Sequence, residues 1–231
     1  METYDIIVCG AGSAGFCAAV AAARMGAKTA LVEKYNTPGG ILTVLGNNSI
    51  DQFNNPFIAD KKMVITGIGW ELVLRLHKEG YARIPDMNAP RENHEQYGVK
   101  VNPVAAAKIM DDMLLESGVS LYYGQSVVDA ETVDGRIESI LIATKSGLKR
   151  LGAKIFIDCT GDGDLAAFAG RVKNAVFVSD YIYADAERYD ETTEAYRRCL
   201  AEADRRLAKV CDTVIEVSAG QLTIHKGDLC I

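Results

Sequence analysis

The apolar residues fall in short runs of two alternating periods, one of strand type and one of helix type. Tyr4-Asp5-Ile6-Ile7-Val8-Cys9 is short, apolar and β-branched, which predicts a buried parallel strand. From Ala14 to Met25 the residues are mostly alanines and other good helix formers, so a helix begins inside a glycine run, and Gly26 closes it. Thr29-Ala30-Leu31-Val32 predicts a second strand, ending at Glu33. Gly69 to Glu79 predicts a helix ended by Gly80, with His77 on its exposed face. Asn102-Pro103 is a helix start, and the apolar spacing of 104, 109, 110, 113 and 114 carries that helix to Ser117 before Gly118 stops it. Strands are expected over Val119–Tyr123, Ser126–Thr132 and Ile137–Thr144, with the hairpin signal "VDGR" between the last two. A short strand, Lys154–Asp158, leads into Cys159-Thr160-Gly161-Asp162-Gly163-Asp164 and a helix from Leu165 to Ala169. Strand alternating with helix predicts an α/β, doubly wound, Rossmann-like domain carrying a β-meander excursion.

The first turn carries the clearest chemistry. Gly10, Gly12 and Gly15 stand at G-x-G-x-x-G spacing between a strand and a helix. Gly10 permits the tight turn, Gly12 leaves room for a pyrophosphate, and Gly15 lets the helix lie close to the sheet. A helix N-terminus offers N–H groups and partial positive charge to that pyrophosphate. Glu33, at the end of the next strand, is placed to accept hydrogen bonds from ribose hydroxyls. The pattern predicts a dinucleotide site. Glu33 would repel a 2′-phosphate, which disfavours NADP and leaves FAD and NAD open.

The loop after Glu33 contains Pro38-Gly39-Gly40-Ile41-Leu42-Thr43, a glycine pair placed to approach a cofactor closely. Further on, the polar stretch "RIPDMNAPRENHEQYG" holds Arg91 and His94, which read first as a solvated loop and second as a substrate contact.

Composition removes several classes of function. The chain has 231 residues, 48% hydrophobic and 24% charged, with net charge −6. That predicts a globular chain with a real core and no basic footprint for nucleic acid or anionic membrane. No targeting segment or spanning run stands out. Six cysteines (9, 17, 159, 199, 211 and 230) show no CxxC pair and no metal spacing, so reduced thiols, no metal site and a cytoplasmic setting are expected.

Three features together resemble a known family. They are the glycine fingerprint ending in Glu33, the three-stranded excursion with "VDGRI" in its hairpin, and "AKIFIDCTGDGDLAAFAG". Residues 4–170 resemble the FAD-dependent oxidoreductases of the glutathione-reductase fold type; the last stretch is similar to that family's A-T-G motif, with Cys159 where Ala is usual. The resemblance implies a flavoprotein oxidoreductase with FAD as cofactor. Gly10, Gly12, Ser13, Ala14 and Gly15 would hold the pyrophosphate and Glu33 the ribose. Lys34, Gly39, Gly40 and Thr43 would flank the next part of the cofactor, Val127 or Val128 would lie near the adenine by backbone contact, and Thr160, Gly161 and Asp162 would close the nucleotide end. The partner would be a small-molecule substrate or electron acceptor, and self-association stays open. No catalytic acid or base stands out; Asp162 and Asp164 read as helix caps.

Residues 1–170 are expected to form the FAD domain, without a full substrate domain, and 171–231 a small α/β C-terminal segment. That segment reads as strand (Ala175–Val178), charged amphipathic helix (about 191–210, with Tyr196, Leu200 and Leu207 on a docking face), and two strands (Thr213–Val217, Leu222–His225). Residues 175–228 resemble the C-terminal end of adenosylcobinamide kinases, but no P-loop G-x-x-x-x-G-K-[ST] is present. The alternative function is therefore a non-catalytic or truncated nucleotide-binding fragment retaining a partial FAD site.

Overall fold

A computed structural model describes residues 1–50, 66–86, 98–169, 175–177, 198, 201–202, 205–206, 208–209, 211–218 and 221–227. Arg91 and His94 lie outside the described residues, as do Gly170 and most of the amphipathic segment 191–210. The elements run β1 (Glu2–Cys9), α1 (Ser13–Arg24), β2 (Thr29–Glu33), β3 (Ser49–Ile50), α2 (Ile68–Lys78), β4 (Ala82–Arg83), β5 (Val99–Val101) and α3 (Pro103–Glu116). They continue as β6 (Ser120–Tyr123), β7 (Ser126–Val133), β8 (Arg136–Thr144), β9 (Gly147–Asp158), α4 (Asp164–Ala169), β10 (Ala175–Phe177), β11 (Val214–Ser218) and β12 (Gln221–Lys226). The fold is the expected mixed α/β with a parallel-strand sheet.

The main sheet has the order β6-β2-β1-β9-β8-β7, with β10 also paired to β9. β6, β2, β1, β9 and β10 are parallel neighbours, while β8 joins β7 and β9 antiparallel. β9 is the pivot. Its first half, Gly147–Gly152, zips onto β8, and its end, Phe156–Asp158, pairs with β10, while β1 pairs with it from Leu151 to Asp158. The sequence reads only Lys154–Asp158 as strand, because "SGLKRLG" has no sustained apolar period of its own; the tertiary pairing with β8 draws it in. A small antiparallel sheet, β3-β5-β4, lies in what reads as irregular loop, since strands of two or three residues carry no legible period.

Residues along β1 and β2 are buried on both faces of the sheet, as a covered parallel sheet requires. Val8 and Leu31 join Phe16, Val73, Leu76, Met110 and Leu114 in a core beneath α1, α2 and α3. Ile7, Cys9, Ala30 and Val32 face the other way and join Ile140, Ile142, Leu151, Phe156 and Leu165. Local signals mark the ends of elements. The Asn102 side chain accepts from the Val104 and Ala105 N–H groups, both at 3.0 Å, capping α3 with Pro103 at its first position. Asp134 (φ 51°) and Gly135 (φ 74°) form the tight turn joining β7 to β8.

The contacts divide the chain into two compact units, Met1–Phe177 and Val178–Ile231. In the second, β11 and β12 form an antiparallel pair, and the described residues between 198 and 209 are helical. Among the described residues, no helix is long and apolar enough to cross a membrane.

A charge network ties three helices together. Arg24 donates to both Glu71 oxygens, at 2.6 and 2.9 Å, and Arg75 bridges Glu71 (2.8 Å) and Glu116 (2.8 Å). The Arg24 hydrogen bond is the first cause holding the Glu71 carboxyl below its ordinary value. A depressed folded value means stabilisation that is present above the ordinary carboxylate range and lost as pH falls through the depressed one. Glu71→Gln is therefore expected to lower stability by about 1 kcal/mol at pH 7. Thermal unfolding of both proteins should show the difference closing as the pH drops below the carboxylate range.

Candidate functional site

The carboxyl ends of β1, β2 and β9 meet at one place, and the turns that follow them are packed against each other. In β1 and β9, Cys9 is paired with Asp158, and the Cys159 N–H donates to the Cys9 carbonyl at 2.8 Å. The first turn is therefore bound to the last by backbone. A Cβ on Gly10 would stand 2.6 Å from the Cys159 carbonyl oxygen. One on Gly15 would collide with the Gly10 carbonyl and approach the Cys159 side chain to 3.2 Å. Neither position has room for a side chain, so the glycines at both ends of the motif serve packing.

Gly12 differs: a Cβ there would meet nothing within 4 Å. Gly12 caps α1 without a side-chain hydrogen bond, and the first turn of α1 has no acidic residue. The N–H groups and positive end of α1 therefore open beside Gly12, with exposed Ser13 and Ala14, and nothing from that turn neutralises them. The Pro38-Gly39-Gly40 turn closes on the same spot. The Gly39 N–H donates to the Ala11 carbonyl at 2.7 Å, and a Cβ on Gly40, at φ 52°, would lie 3.3 Å from the Gly12 Cα. Thr43 turns inward to donate its hydroxyl to the Pro38 carbonyl, which holds this turn shut.

Glu33 is buried, 6% exposed, and its carboxylate is turned into the protein. One oxygen accepts from the Ala11 N–H at 2.6 Å and the other from the Tyr35 N–H at 2.8 Å. Lys34 points outward and pairs with Asp162 at 3.8 Å, linking the end of β2 to the turn after β9. Thr160 is half-buried, and Gly161 and Asp162 are exposed beside this pair.

The structure thus brings together Gly10, Gly12, Ser13, Ala14, Gly15, Glu33, Lys34, Gly39, Gly40, Thr43, Thr160, Gly161 and Asp162 around the ends of three strands. Val127 and Val128 lie in β7, two and three residues after Gln125. Val127 is half-buried against the second core, and Val128 sits at a register shift and is exposed. The residues leading into β7 that bond to the end of β2 are Gly124, donating to the Tyr35 carbonyl at 2.9 Å, and Gln125, donating to the Glu33 carbonyl at 3.0 Å. The Gln125 Oε1 atom is buried with no hydrogen-bond partner.

Sequence reasoning missed Asp158, the other buried carboxylate here. It is 4% exposed and accepts from the Thr160 N–H (3.0 Å), the Thr160 hydroxyl (2.7 Å) and the Ala166 N–H (2.9 Å). Thr160 in turn accepts from the Asp164 N–H at 2.8 Å. The capping of α4 therefore belongs to Asp158 and Thr160, and the reading of Asp162 and Asp164 as caps is corrected. The available signal was an acid ending an apolar run two residues before a threonine, a spacing that suits a side chain folding back over its own turn.

Burial pushes the Cys159 thiol up to about 12 and the Cys17 thiol to about 11, and drives Cys9 up as well. These thiols are protonated at neutral pH and are poor nucleophiles. Among the described residues no group of three or more His, Cys, Asp or Glu is placed to hold a metal ion.

The chain matches the family model described as FAD dependent oxidoreductase over residues 5–209. It is 28% identical over 171 residues to the tRNA uridine 5-carboxymethylaminomethyl modification enzyme MnmG of a Sulfurihydrogenibium species, covering 66% of this chain and 27% of that protein. Two solved structures share the fold. OxyS anhydrotetracycline hydroxylase from Streptomyces rimosus superposes with a TM-score of 0.53 at 17% identity, over 72% of this chain and 34% of its own. L-proline dehydrogenase from P. horikoshii does so at 0.53 and 16% identity, over 74% and 57%. The chain thus spans about a quarter of the curated relative's length. These matches lend no support to the kinase resemblance of residues 175–228, and the oxidoreductase model itself runs through residue 209.

Removing the Asp158 carboxylate would strand three buried or half-buried donors. Asp158→Ala is expected to cost about 2–4 kcal/mol, since hydrogen bonds to a charged acceptor are worth about 1.5–3 kcal/mol each and are not additive. Asp158→Asn, which keeps one acceptor oxygen, should lose less. Chemical denaturation of the three proteins checks the order.

Proposed function

This chain belongs to the FAD-dependent oxidoreductase family, and we propose on that premise that its first unit holds FAD as the redox cofactor of an oxidoreductase. The observation that carries the reading is the open space at Gly12, facing the uncapped N-terminus of α1 and walled by the Gly39-Gly40 turn. It suits a pyrophosphate, because helix N–H groups and a close backbone are what a doubly negative bridge requires.

In this reading Gly12, Ser13 and Ala14 receive the pyrophosphate, and Gly10 and Gly15 keep the turn tight. Lys34 supplies positive charge at the rim, and Gly39, Gly40 and Thr43 border the path toward the flavin. Thr160, Gly161 and Asp162 border the site from the β9 side. Glu33 lies on the ribose side, and the unpartnered Gln125 Oε1 next to it is an acceptor available to an adenosine hydroxyl or amino group. Val127 and Val128 keep the adenine role only by way of the backbone leading into β7. FAD, when bound, supplies the hydride or electron transfer; the residues named here bind and orient it.

FAD is expected to bind more tightly than NAD or NADP, with NADP weakest because a 2′-phosphate would meet the Glu33 side of the site. Calorimetric titration of the purified chain, first stripped of any released cofactor, gives the order directly. A lower dissociation constant for NAD than for FAD would reject the assignment. So would a visible spectrum without flavin bands after reconstitution and gel filtration.

A further inference from the structure

Glu33 has a second task that does not involve touching a ribose. Both of its carboxylate oxygens already accept backbone N–H groups inside the protein, from Ala11 and from Tyr35. Ala11 is fully buried and is held again at its other end, where its carbonyl accepts from the Gly39 N–H. Its neighbour Gly10 donates to the Val32 carbonyl at 2.8 Å, one residue before Glu33. The residue between the first two glycines is thus the point where the end of β2, the glycine turn and the Gly39-Gly40 turn are joined. Only one of those joints uses a charged side chain.

We propose that Glu33 is a positioning residue for the glycine turn, an inference that rests on the proposed dinucleotide site. Its carboxylate fixes the Gly10–Ala11 peptide through the Ala11 N–H, and the Gly39 N–H fixes the next peptide, Ala11–Gly12, through the Ala11 carbonyl; together the two bonds set the gap between Gly12 and Gly40 where the pyrophosphate lies. The bond is short, buried and charge-assisted, the class of hydrogen bond that holds geometry best. A carboxylate has about four lone-pair sites, so two backbone bonds still leave capacity for a ribose hydroxyl. The two roles coexist and make different predictions. A ribose contact acts only on ligands that carry the 2′- and 3′-hydroxyls. A braced turn acts on any ligand with the pyrophosphate.

The experiment is a cycle between residue 33 and the ribose hydroxyls. ADP and 2′,3′-dideoxy-ADP are titrated into the wild-type chain, Glu33→Gln and Glu33→Ala, and the Ala11 amide is followed by NMR in the ligand-free proteins. Glu33→Ala should weaken both nucleotides by about tenfold or more, the loss of one charge-assisted hydrogen bond. Glu33→Gln, nearly isosteric and able to keep one of the two bonds, should fall in between and guards against a folding defect in the alanine variant. The Ala11 amide proton should be strongly downfield and slow to exchange in the wild type, and should move upfield and exchange faster in both variants. A loss confined to ADP, with dideoxy-ADP bound as in the wild type, overturns the positioning role. If the wild type binds neither nucleotide, the dinucleotide reading fails. The Ala11 amide then still decides the brace, since a proton at an ordinary shift that does not respond to the substitutions overturns it.

Discussion

The site depends on how closely the turn after β1 approaches the turn after β9. Cys9 and Cys159 are joined by backbone, and the space between their turns is so small that Gly10 and Gly15 cannot carry a Cβ. That contact decides where the N-terminus of α1 points. Once α1 starts tight against β9, its free N–H groups can open only beside Gly12, the one glycine of the motif with empty space over it. The three glycines therefore do two jobs. Two remove bulk so that the protein can pack against itself, and one removes bulk so that something else can.

Two buried carboxylates then hold the turns in place. Glu33 takes the turn after β1, and Asp158 takes the turn after β9. Each sits at the end of a parallel strand and accepts backbone N–H groups that no neighbouring strand could reach. A charged side chain is costly to bury unless its hydrogen-bonding capacity is used, and in both cases it is used on the protein's own backbone. The cost is recovered as geometry: loops that would otherwise be loose are held to the sheet.

Much of this was legible in the residues, for reasons that differ by element. β1, α1 and β2 follow from local period and glycine punctuation, and Asn102-Pro103 and "VDGR" mark their helix start and their turn through local backbone chemistry alone. The same kind of locality made Gly39 and Gly40 recognisable as a close-approach pair. Asp158 left one local mark, its place two residues before Thr160, but its bond to the Ala166 N–H is defined only once the chain has folded back over its own turn. The first half of β9 and the small sheet β3-β5-β4 were missed for a related reason, since their strands exist by pairing and not by pattern. The resemblance of residues 175–228 to a kinase end gains no support, while the family match continues to residue 209 and β10 is hydrogen-bonded to the main sheet.

The electrostatics of the site have a consequence for how an anion would be received. The chain is acidic overall, and Glu33, Asp158 and Asp162 all stand at the strand ends where a pyrophosphate would lie. Against them stand the α1 N-terminus and Lys34, and Lys34 is already shared with Asp162. Both members of that pair are exposed, so their attraction is screened and worth little. Each can exchange its partner for a better one at small cost. The two buried acids are different, because their charge is already matched by N–H groups turned toward them and projects less strongly into the groove. An acidic protein can in this way present a locally anion-accepting surface. The carboxylates are aimed inward at the backbone, and the helix end is aimed outward at the ligand.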